Sequence, residues 1–259
     1  MIRKTQAIVL RTINYGDQSK IVTFFTRSFG KLTGLVKGYR NPKGKFASVL
    51  EIGNDLDLVL YKKDTREVQL ITEAVLRAPM LGATSSLEQL SALHQTLELI
   101  RLTTENDDAH LGVFELLHAT LQKINVSRKN HISFFFYFQV QLISLLGFRL
   151  NFQKCVLTGK SLSEKALPKD ARVVLLAEHG GFALQLAAEE RGFAGMPVST
   201  DAFKAVQWLS LVAIESVENL FLEKLVINEI FQLLDSYFRF HIDDLPAFRS
   251  REIFNQLVF

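Results

Sequence analysis

The sequence contains very little cysteine and no apolar segment of membrane-spanning length. Cys155 is the only cysteine among 259 residues, so an intrachain disulfide is impossible and a cysteine-based zinc site would lack most of its ligands. The most apolar stretch, residues 133–148, is interrupted by Gln139, Gln141 and Ser144 and is shorter than the roughly 20 apolar residues of a transmembrane helix. We therefore predict that this stretch is a buried helix.

Catalytic motifs are also missing. Gly30-Lys31 is followed by Leu32, and Phe25 stands where a phosphate-binding loop has its first glycine. The six histidines show no paired metal-ligand spacing, and Cys155 and His179 lie 24 residues apart without an oxyanion signature around them. We therefore expect no enzymatic activity, no metal and no cofactor.

The first ten residues carry Arg3 and Lys4 but no apolar region before a small-residue cleavage site. This start does not resemble a secretion signal. We expect a cytoplasmic protein that associates with the nucleoid during its work.

The charge is distributed unevenly, although the formal net charge is only +3. Residues 1–80 carry 14 Lys and Arg against 7 Asp and Glu, whereas the remaining residues carry 16 against 20. Within residues 1–45, Asp17 is the only acid. Ten bases accompany it: Arg3, Lys4, Arg11, Lys20, Arg27, Lys31, Lys37, Arg40, Lys43 and Lys45. Such an asymmetry is expected when one domain binds a polyanion, although a basic face can also serve solubility alone.

The first 75 residues have the pattern of five short strands separated by turns. The predicted strands cover residues 7–13, 21–26, 31–37, 49–61 and 68–74. Five short strands in this length fit a small closed β-barrel of the oligonucleotide-binding (OB) type, and an SH3-like barrel would give a similar pattern.

Beyond Pro79 the apolar residues fall at helical spacing, behind the candidate N-cap pair Ser85-Ser86. Helices are predicted around residues 87–100, 111–124 and 132–146, with Gly147 as a C-terminal stop, and helical spacing returns over residues 201–240. Residues 149–199 are richer in glycine and proline. The fold class is thus α+β, with a barrel at 1–80, a helical domain at 81–148 and 200–259, and a small inserted module at 149–199.

The basic segment after the third strand has the features of a nucleic-acid contact. Tyr39 and Phe46 bracket Arg40, Lys43 and Lys45, which supplies stacking faces beside positive charge. Phe46 has an equally ordinary interpretation as a core residue. A site of this kind binds the backbone and has little sequence specificity.

The order and spacing of several motifs resemble the RecO family of recombination mediators. The motifs are Tyr15-Gly16-Asp17 with Ile21-Val22, Thr26-Arg27 with Phe29-Gly30-Lys31, Val36-Lys37-Gly38-Tyr39-Arg40, Leu146-Gly147-Phe148 before Cys155, Gly180-Gly181, Tyr237 with His241, and Leu245 to Ser250-Arg251. The resemblance covers essentially the whole chain.

This resemblance implies a non-catalytic protein that binds single- and double-stranded DNA and anneals complementary strands. It also implies that the protein acts together with RecR and RecF. This action helps RecA to replace single-stranded DNA-binding protein on gapped DNA. For this chain, the resemblance implies that the following residues contact DNA: Lys20, Arg27, Lys31, Lys37, Tyr39, Arg40, Lys43 and Lys45. An alternative is a protein adaptor for which DNA contact is secondary.

Two further expectations concern the second half of the chain. Many members of this family carry a four-cysteine zinc module in the inserted segment, whereas only Cys155 is present here, so we expect no zinc and packing through Val174, Leu176, Phe182 and Leu184. Arg128, Lys129 and the aromatic run 134–138 form a candidate docking region for the C-terminal tail of single-stranded DNA-binding protein. The aromatic run is alternatively buried core.

Overall fold

The chain packs into two compact units, each of which is described by itself. Unit 1 comprises residues 1–127 and 247–259, and unit 2 comprises residues 128–246. The computed structural model describes residues 1–39, 46, 49–80, 86–163 and 172–250. The units thus divide the chain after the second helix, whereas the boundary predicted from the sequence follows the fifth strand.

Unit 1 begins with a closed five-stranded β-barrel. The strands are β1 (Ile2–Tyr15), β2 (Ser19–Thr26), β3 (Gly30–Lys37), β4 (Asp55–Tyr61) and β5 (Val68–Ala78). They are paired in the order β1-β2-β3-β5-β4, with β3 and β5 parallel and the other pairs antiparallel. The predicted barrel of the OB type is confirmed. The predicted fourth strand is shortened, because β4 begins only at Asp55, after Gly53 with its positive φ of +89°.

Alternation along the strands fills the barrel interior. In β3, Leu32 and Val36 are buried and Leu35 faces outward, as expected for a period of two. Gly34 also faces inward, and a Cβ at this position would lie 2.5 Å from Cγ1 of Ile71. A larger residue at 34 would therefore need the Ile71 side chain to move.

Two helices complete the described part of unit 1. Helix α1 spans Leu87–Thr103, and the Ser86 side chain accepts a hydrogen bond from the Gln89 backbone N–H at its start. Helix α2 spans Leu111–Val126, and Phe114 on it stacks on Phe25 of the barrel at 6.3 Å between ring centroids. Ser86 is thus confirmed as the N-cap, and an aromatic contact joins α2 to β2.

A buried carboxylate makes a second link between α2 and the barrel. Asp55 is only 3% exposed. Its carboxylate accepts hydrogen bonds from the Gln6 side-chain amide at 2.9 and 3.0 Å, and lies 3.1 Å from Nε2 of His118 and 3.5 Å from Nε of Arg77. Several partners thus compensate for the cost of burying this charge.

The described part of unit 2 contains four α-helices and a small sheet. They are α3 (His131–Leu145), β6 (Val173–Leu176), β7 (Gly181–Leu184), α4 (Gln185–Glu190), β8 (Met196–Val198), α5 (Thr200–Leu209) and α6 (Lys224–His241). The strands pair antiparallel in the order β7-β6-β8. The predicted stop after α3 is confirmed, since Gly147 has a φ of +96°.

The helical pattern over residues 201–240 corresponds to two helices, α5 and α6, and not to a continuous one. A 3₁₀ helix at Ile214–Asn219 lies between them, and the intervening segment leaves Phe221 77% exposed. Residues 210–223 contain neither glycine nor proline, so the common sequence signals of a helix break are missing.

The inserted segment packs through its apolar residues. Val174 and Leu176 are buried, and the ring of Phe182 lies 5.3 Å from Phe152 and 5.0 Å from Phe203 of α5. Aromatic contacts of this kind add to the stabilisation that burial itself provides. Unit 2 thus attaches β7 to α5 without a disulfide, because Cys155 is the only cysteine.

Candidate nucleic-acid interface

A groove of about 410 Å³ lies on the outer face of the barrel. Its lining comes from β2, β3, β5 and the ends of two turns: Tyr15, Ile21, Leu35, Lys37, Arg66, Val68, Gln69 and Leu70. The strands β2 and β3 and the β1–β2 and β4–β5 loops are the parts of an OB barrel that bind oligonucleotides. The groove therefore lies where this fold places such a ligand.

Apolar side chains in direct register form the floor of the groove. Leu35 on β3 pairs with Ile21 on β2 and with Leu70 on β5. The register continues the row outward to Ile13 on β1 and Tyr61 on β4, which are 45% and 43% exposed. An outward apolar row on a barrel provides surface on which unpaired bases can pack.

Aromatic and basic side chains form the rim. Tyr15 is 57% exposed at the end of β1, and Lys37 at the end of β3 is in register with Ser19. Arg66, in the turn between β4 and β5, is also exposed. The groove thus combines an apolar floor with cations at its edge, an arrangement that suits a base-and-phosphate chain.

The predicted residues Lys20 and Tyr39 contact each other, and neither lines the groove. The Lys20 ammonium lies 3.7 Å from the centroid of the Tyr39 ring, a cation–π contact. The Tyr39 backbone N–H donates to the Gln18 carbonyl at 2.9 Å, which joins the end of β3 to the β1–β2 turn. Among the described residues of the predicted site, Lys37 therefore lines the groove, and Lys20 and Tyr39 form a separate pair.

The side chain of Gln69 organises the β4–β5 turn. It is 1% exposed, and its Oε1 accepts the Lys63 backbone N–H at 2.9 Å. Its Nε2 donates to the carbonyls of Lys63 and Arg66 at 3.0 and 2.6 Å. Three hydrogen bonds from a buried amide thus fix the backbone of the turn that carries Arg66.

Two other predicted residues lie at the opposite end of β2 and β3. Arg27 forms an ion pair with Glu115 of α2 at 2.8 Å. Lys31 is six residues from Lys37 along β3, which corresponds to about 20 Å. The structure does not bring Arg27 and Lys31 to the groove.

The ammonium of Lys31 has protein partners of its own. It donates to the carbonyls of Arg101 and Thr104 at the C-terminal end of α1, where a cation satisfies free carbonyls. Burial lowers the pKa of Lys31, and the nearby charge of Arg101 lowers it further. Lys31 therefore stabilises unit 1, and we leave it out of the proposed DNA surface.

Part of the predicted site lies outside the described residues, namely Arg40, Lys43 and Lys45. Phe46 is described and is 7% exposed within the barrel core. The core interpretation of Phe46 is confirmed, so the stacking partner proposed beside Arg40 is Tyr39 alone.

Sequence reasoning missed Tyr15, Arg66 and the apolar floor of the groove. Counting charges favoured the densest basic segment, and Arg66 stands among acids at Asp64 and Glu67. Ile21 and Leu35 are apolar residues of the kind that usually lies in a protein core. Their outward position shows only in the alternation with buried Val22 and Val36, and this alternation was the available signal.

The candidate docking region of unit 2 separates into two parts. Phe134, Phe135, Phe136 and Phe138 are at most 2% exposed, so the core interpretation of the aromatic run is confirmed. Arg128 and Lys129 are exposed, and the Arg128 backbone N–H donates to Oε1 of Glu218 at 3.2 Å. Their partner role stays a prediction.

Cys155 is buried and its sulfur accepts hydrogen bonds. Burial alone would raise the pKa of this thiol, but hydrogen bonds from the Thr158 side chain and from the backbone N–H groups of Leu184, Leu157 and Thr158 lower it below the ordinary value. Within the described ranges, no group of three or more His, Cys, Asp or Glu residues is arranged to hold a metal ion. In the same part of the chain, no helix is long and apolar enough to cross a membrane.

Comparisons with known proteins match two consecutive parts of the chain. A family model for the N-terminal part of recombination protein O matches residues 1–80, and the model for its C-terminal part matches residues 84–252. The chain belongs to the RecO family of DNA repair proteins. Its charge asymmetry therefore occurs in a family whose members act on DNA damage.

Individual relatives match along most or all of the chain. The DNA repair protein RecO of Chlorobium limicola is 34% identical over 259 residues, which is 100% of this chain and 99% of the relative. The RecO of Prosthecochloris aestuarii is 29% identical over 99% of this chain and 98% of its own. The RecO of Chlorobium luteolum is 37% identical over 81% of this chain and 80% of its own.

Proposed function

We propose that this RecO-family protein binds single- and double-stranded DNA on its barrel and anneals complementary strands. The observation that carries the proposal is the groove with Leu35 on its floor and Tyr15, Lys37 and Arg66 on its rim. Cations at the rim neutralise phosphates, and the floor receives bases. Annealing follows because screening of phosphate charge lowers the repulsion between two strands.

The proposal extends to partner proteins. The protein acts with RecR and RecF so that RecA is loaded onto DNA coated with single-stranded DNA-binding protein. The exposed pair Arg128 and Lys129 supplies positive charge for the acidic tail of that protein. Membership of the RecO family supports this wider role.

Annealing of oligonucleotides coated with single-stranded DNA-binding protein tests the proposal. The variant Lys37→Ala/Arg66→Ala is compared with Arg27→Ala, whose side chain pairs with Glu115 away from the groove. We expect the double variant to anneal more slowly and to reduce the slope of log K against log salt for single-stranded DNA by about 1.4. The Arg27→Ala control should stay close to the wild type.

Two other outcomes have different meanings. If Arg40→Ala/Lys43→Ala/Lys45→Ala lowers affinity and Lys37→Ala/Arg66→Ala does not, the DNA contact is in the segment that follows Tyr39 and not in the groove. If the wild type neither binds nor anneals DNA, the protein is an adaptor and the groove serves another ligand.

A further inference from the structure

The β4–β5 turn forms one edge of the groove, and its conformation depends on a side chain in its own hairpin. The turn joins β4, which ends at Tyr61, to β5, which begins at Val68. Lys62 at its base is fixed by Asp107 at 2.7 Å. The exposed residue Arg66 lies further along the turn, where it reaches the groove.

Gln69 lies inside this turn with its hydrogen-bonding capacity in use. Its two amide protons go to the carbonyls of Lys63 and Arg66, and its oxygen accepts the Lys63 N–H. Two contacts within the turn itself are weaker: Arg66 N–H donates to the Lys63 carbonyl at 3.1 Å, and the ion pair from Lys62 reaches Asp64, whose side chain is 96% exposed. Exposed ion pairs stabilise little, whereas a buried amide with three partners holds one backbone conformation.

We propose that Gln69 is a positioning residue for DNA binding, which holds the β4–β5 turn so that Arg66 stands at the rim of the groove opposite Lys37. The inference rests on the proposed function of the groove. A turn fixed before binding presents Arg66 without the entropy cost of ordering the loop on the ligand. Gln69 acts through Arg66 and through the backbone that carries it.

The substitution Gln69→Met tests the role, because methionine has a similar length and cannot donate hydrogen bonds. Freed from the amide, the turn samples other conformations, and only part of the population presents Arg66 correctly. Apparent affinity falls with that fraction, so we expect about 3- to 10-fold weaker binding of a single-stranded oligonucleotide. We also expect faster amide exchange at residues 63–67 in the absence of DNA.

A double-mutant cycle with Arg66→Ala separates positioning from general stability. If Gln69 acts through Arg66, then Gln69→Met has little further effect on affinity or salt slope in the Arg66→Ala background. A purely structural role would weaken both backgrounds equally. Thr72→Val is the matched control, because it removes a hydrogen bond of the same hairpin, from Thr72 Oγ1 to the Val59 carbonyl at 3.1 Å, and should leave the salt slope unchanged.

The outcomes distinguish the inference from the proposed function. Weaker binding by Arg66→Ala together with wild-type binding by Gln69→Met would overturn the inference and leave the groove as the DNA site. Unchanged exchange at residues 63–67 in Gln69→Met would overturn it as well. If neither Arg66→Ala nor Lys37→Ala alters binding, the groove itself is not the DNA site and both proposals fall.

Discussion

Gly30 lies very close to the α1–α2 loop, and a substitution at this position tests how much the contact between β3 and this loop stabilises unit 1. Gly30 has a φ of +65°, and a Cβ built on it would lie 1.8 Å from the carbonyl oxygen of Asp108. The same loop is bound to β3 through the Asp107 backbone N–H, which donates to the Lys31 carbonyl at 2.9 Å. Replacement of Gly30 by alanine therefore strains the backbone and displaces the loop.

The loss of stability expected for Gly30→Ala has two parts, and comparison with Gly38→Ala separates them. A left-handed conformation costs an L-residue roughly 1–2 kcal/mol. Gly38 has a φ of +73° with nothing within 4 Å of a built Cβ, so Gly38→Ala carries this first part alone. Gly30→Ala adds the displaced loop and its lost hydrogen bond, about 1–3 kcal/mol where a buried group is left unpaired. We expect about 2–5 kcal/mol for Gly30→Ala.

Urea denaturation followed by far-UV circular dichroism measures the free energies of unfolding of the two variants. Hydrogen exchange on peptides covering residues 104–110 locates the change, because the displaced loop should exchange faster in Gly30→Ala and not in Gly38→Ala. Equal destabilisation of the two variants, within about 0.5 kcal/mol, would refute the reasoning, since the loop would then relax at no cost.

Three further variants test other contacts. Lys31→Met should lower the stability of unit 1 by about 1–3 kcal/mol in urea denaturation, because two carbonyls at the end of α1 lose their donor. Asp55→Asn should cost a similar amount, since His118 loses its carboxylate partner, and wild-type stability would contradict this. Burial lowers the pKa of His241, and a hydrogen bond to a backbone carbonyl offsets only part of this effect. As the pH falls, His241 is therefore protonated in the unfolded state before it is protonated in the folded state. The free energy of unfolding decreases as the pH drops below about 6.5. In thermal melts His241→Phe, which keeps a ring stacked on Phe148, should lose less stability than the wild type between pH 7 and pH 5.

The fold was more accessible from the sequence than the site. Period-two alternation and the glycines between strands predicted five strands, and Ser86 predicted the start of α1. The break between α5 and α6 was not predictable, because segment 210–223 is held by tertiary packing that replaces the usual glycine or proline. Val217 of this segment is fully buried, and the Ser133 side chain of α3 donates to the Leu220 carbonyl at 3.2 Å.

The site was harder because charge alone does not say what a cation contacts. Lys31 looked equivalent to Lys37 in the sequence, yet Lys31 binds helix carbonyls and Lys37 lines a groove. Gln69 carried no signal at all, since its role arises from three backbone groups that only the folded turn brings together.

Several of the basic residues contact other parts of the protein, and this limits the expected slope of log K against log salt for DNA binding. Ten bases in residues 1–45 would give a slope of about −7 for single-stranded DNA if each neutralised one phosphate at about 0.7 per contact. Arg27 and Lys31 have protein partners, and the ammonium of Lys20 rests on Tyr39. Contacts from Lys37, Arg66 and the three bases Arg40, Lys43 and Lys45 would give about −3.5. A measured slope near about −5.6 would mean that binding breaks these three internal contacts and recruits their cations. The groove would then be only part of the surface that DNA covers.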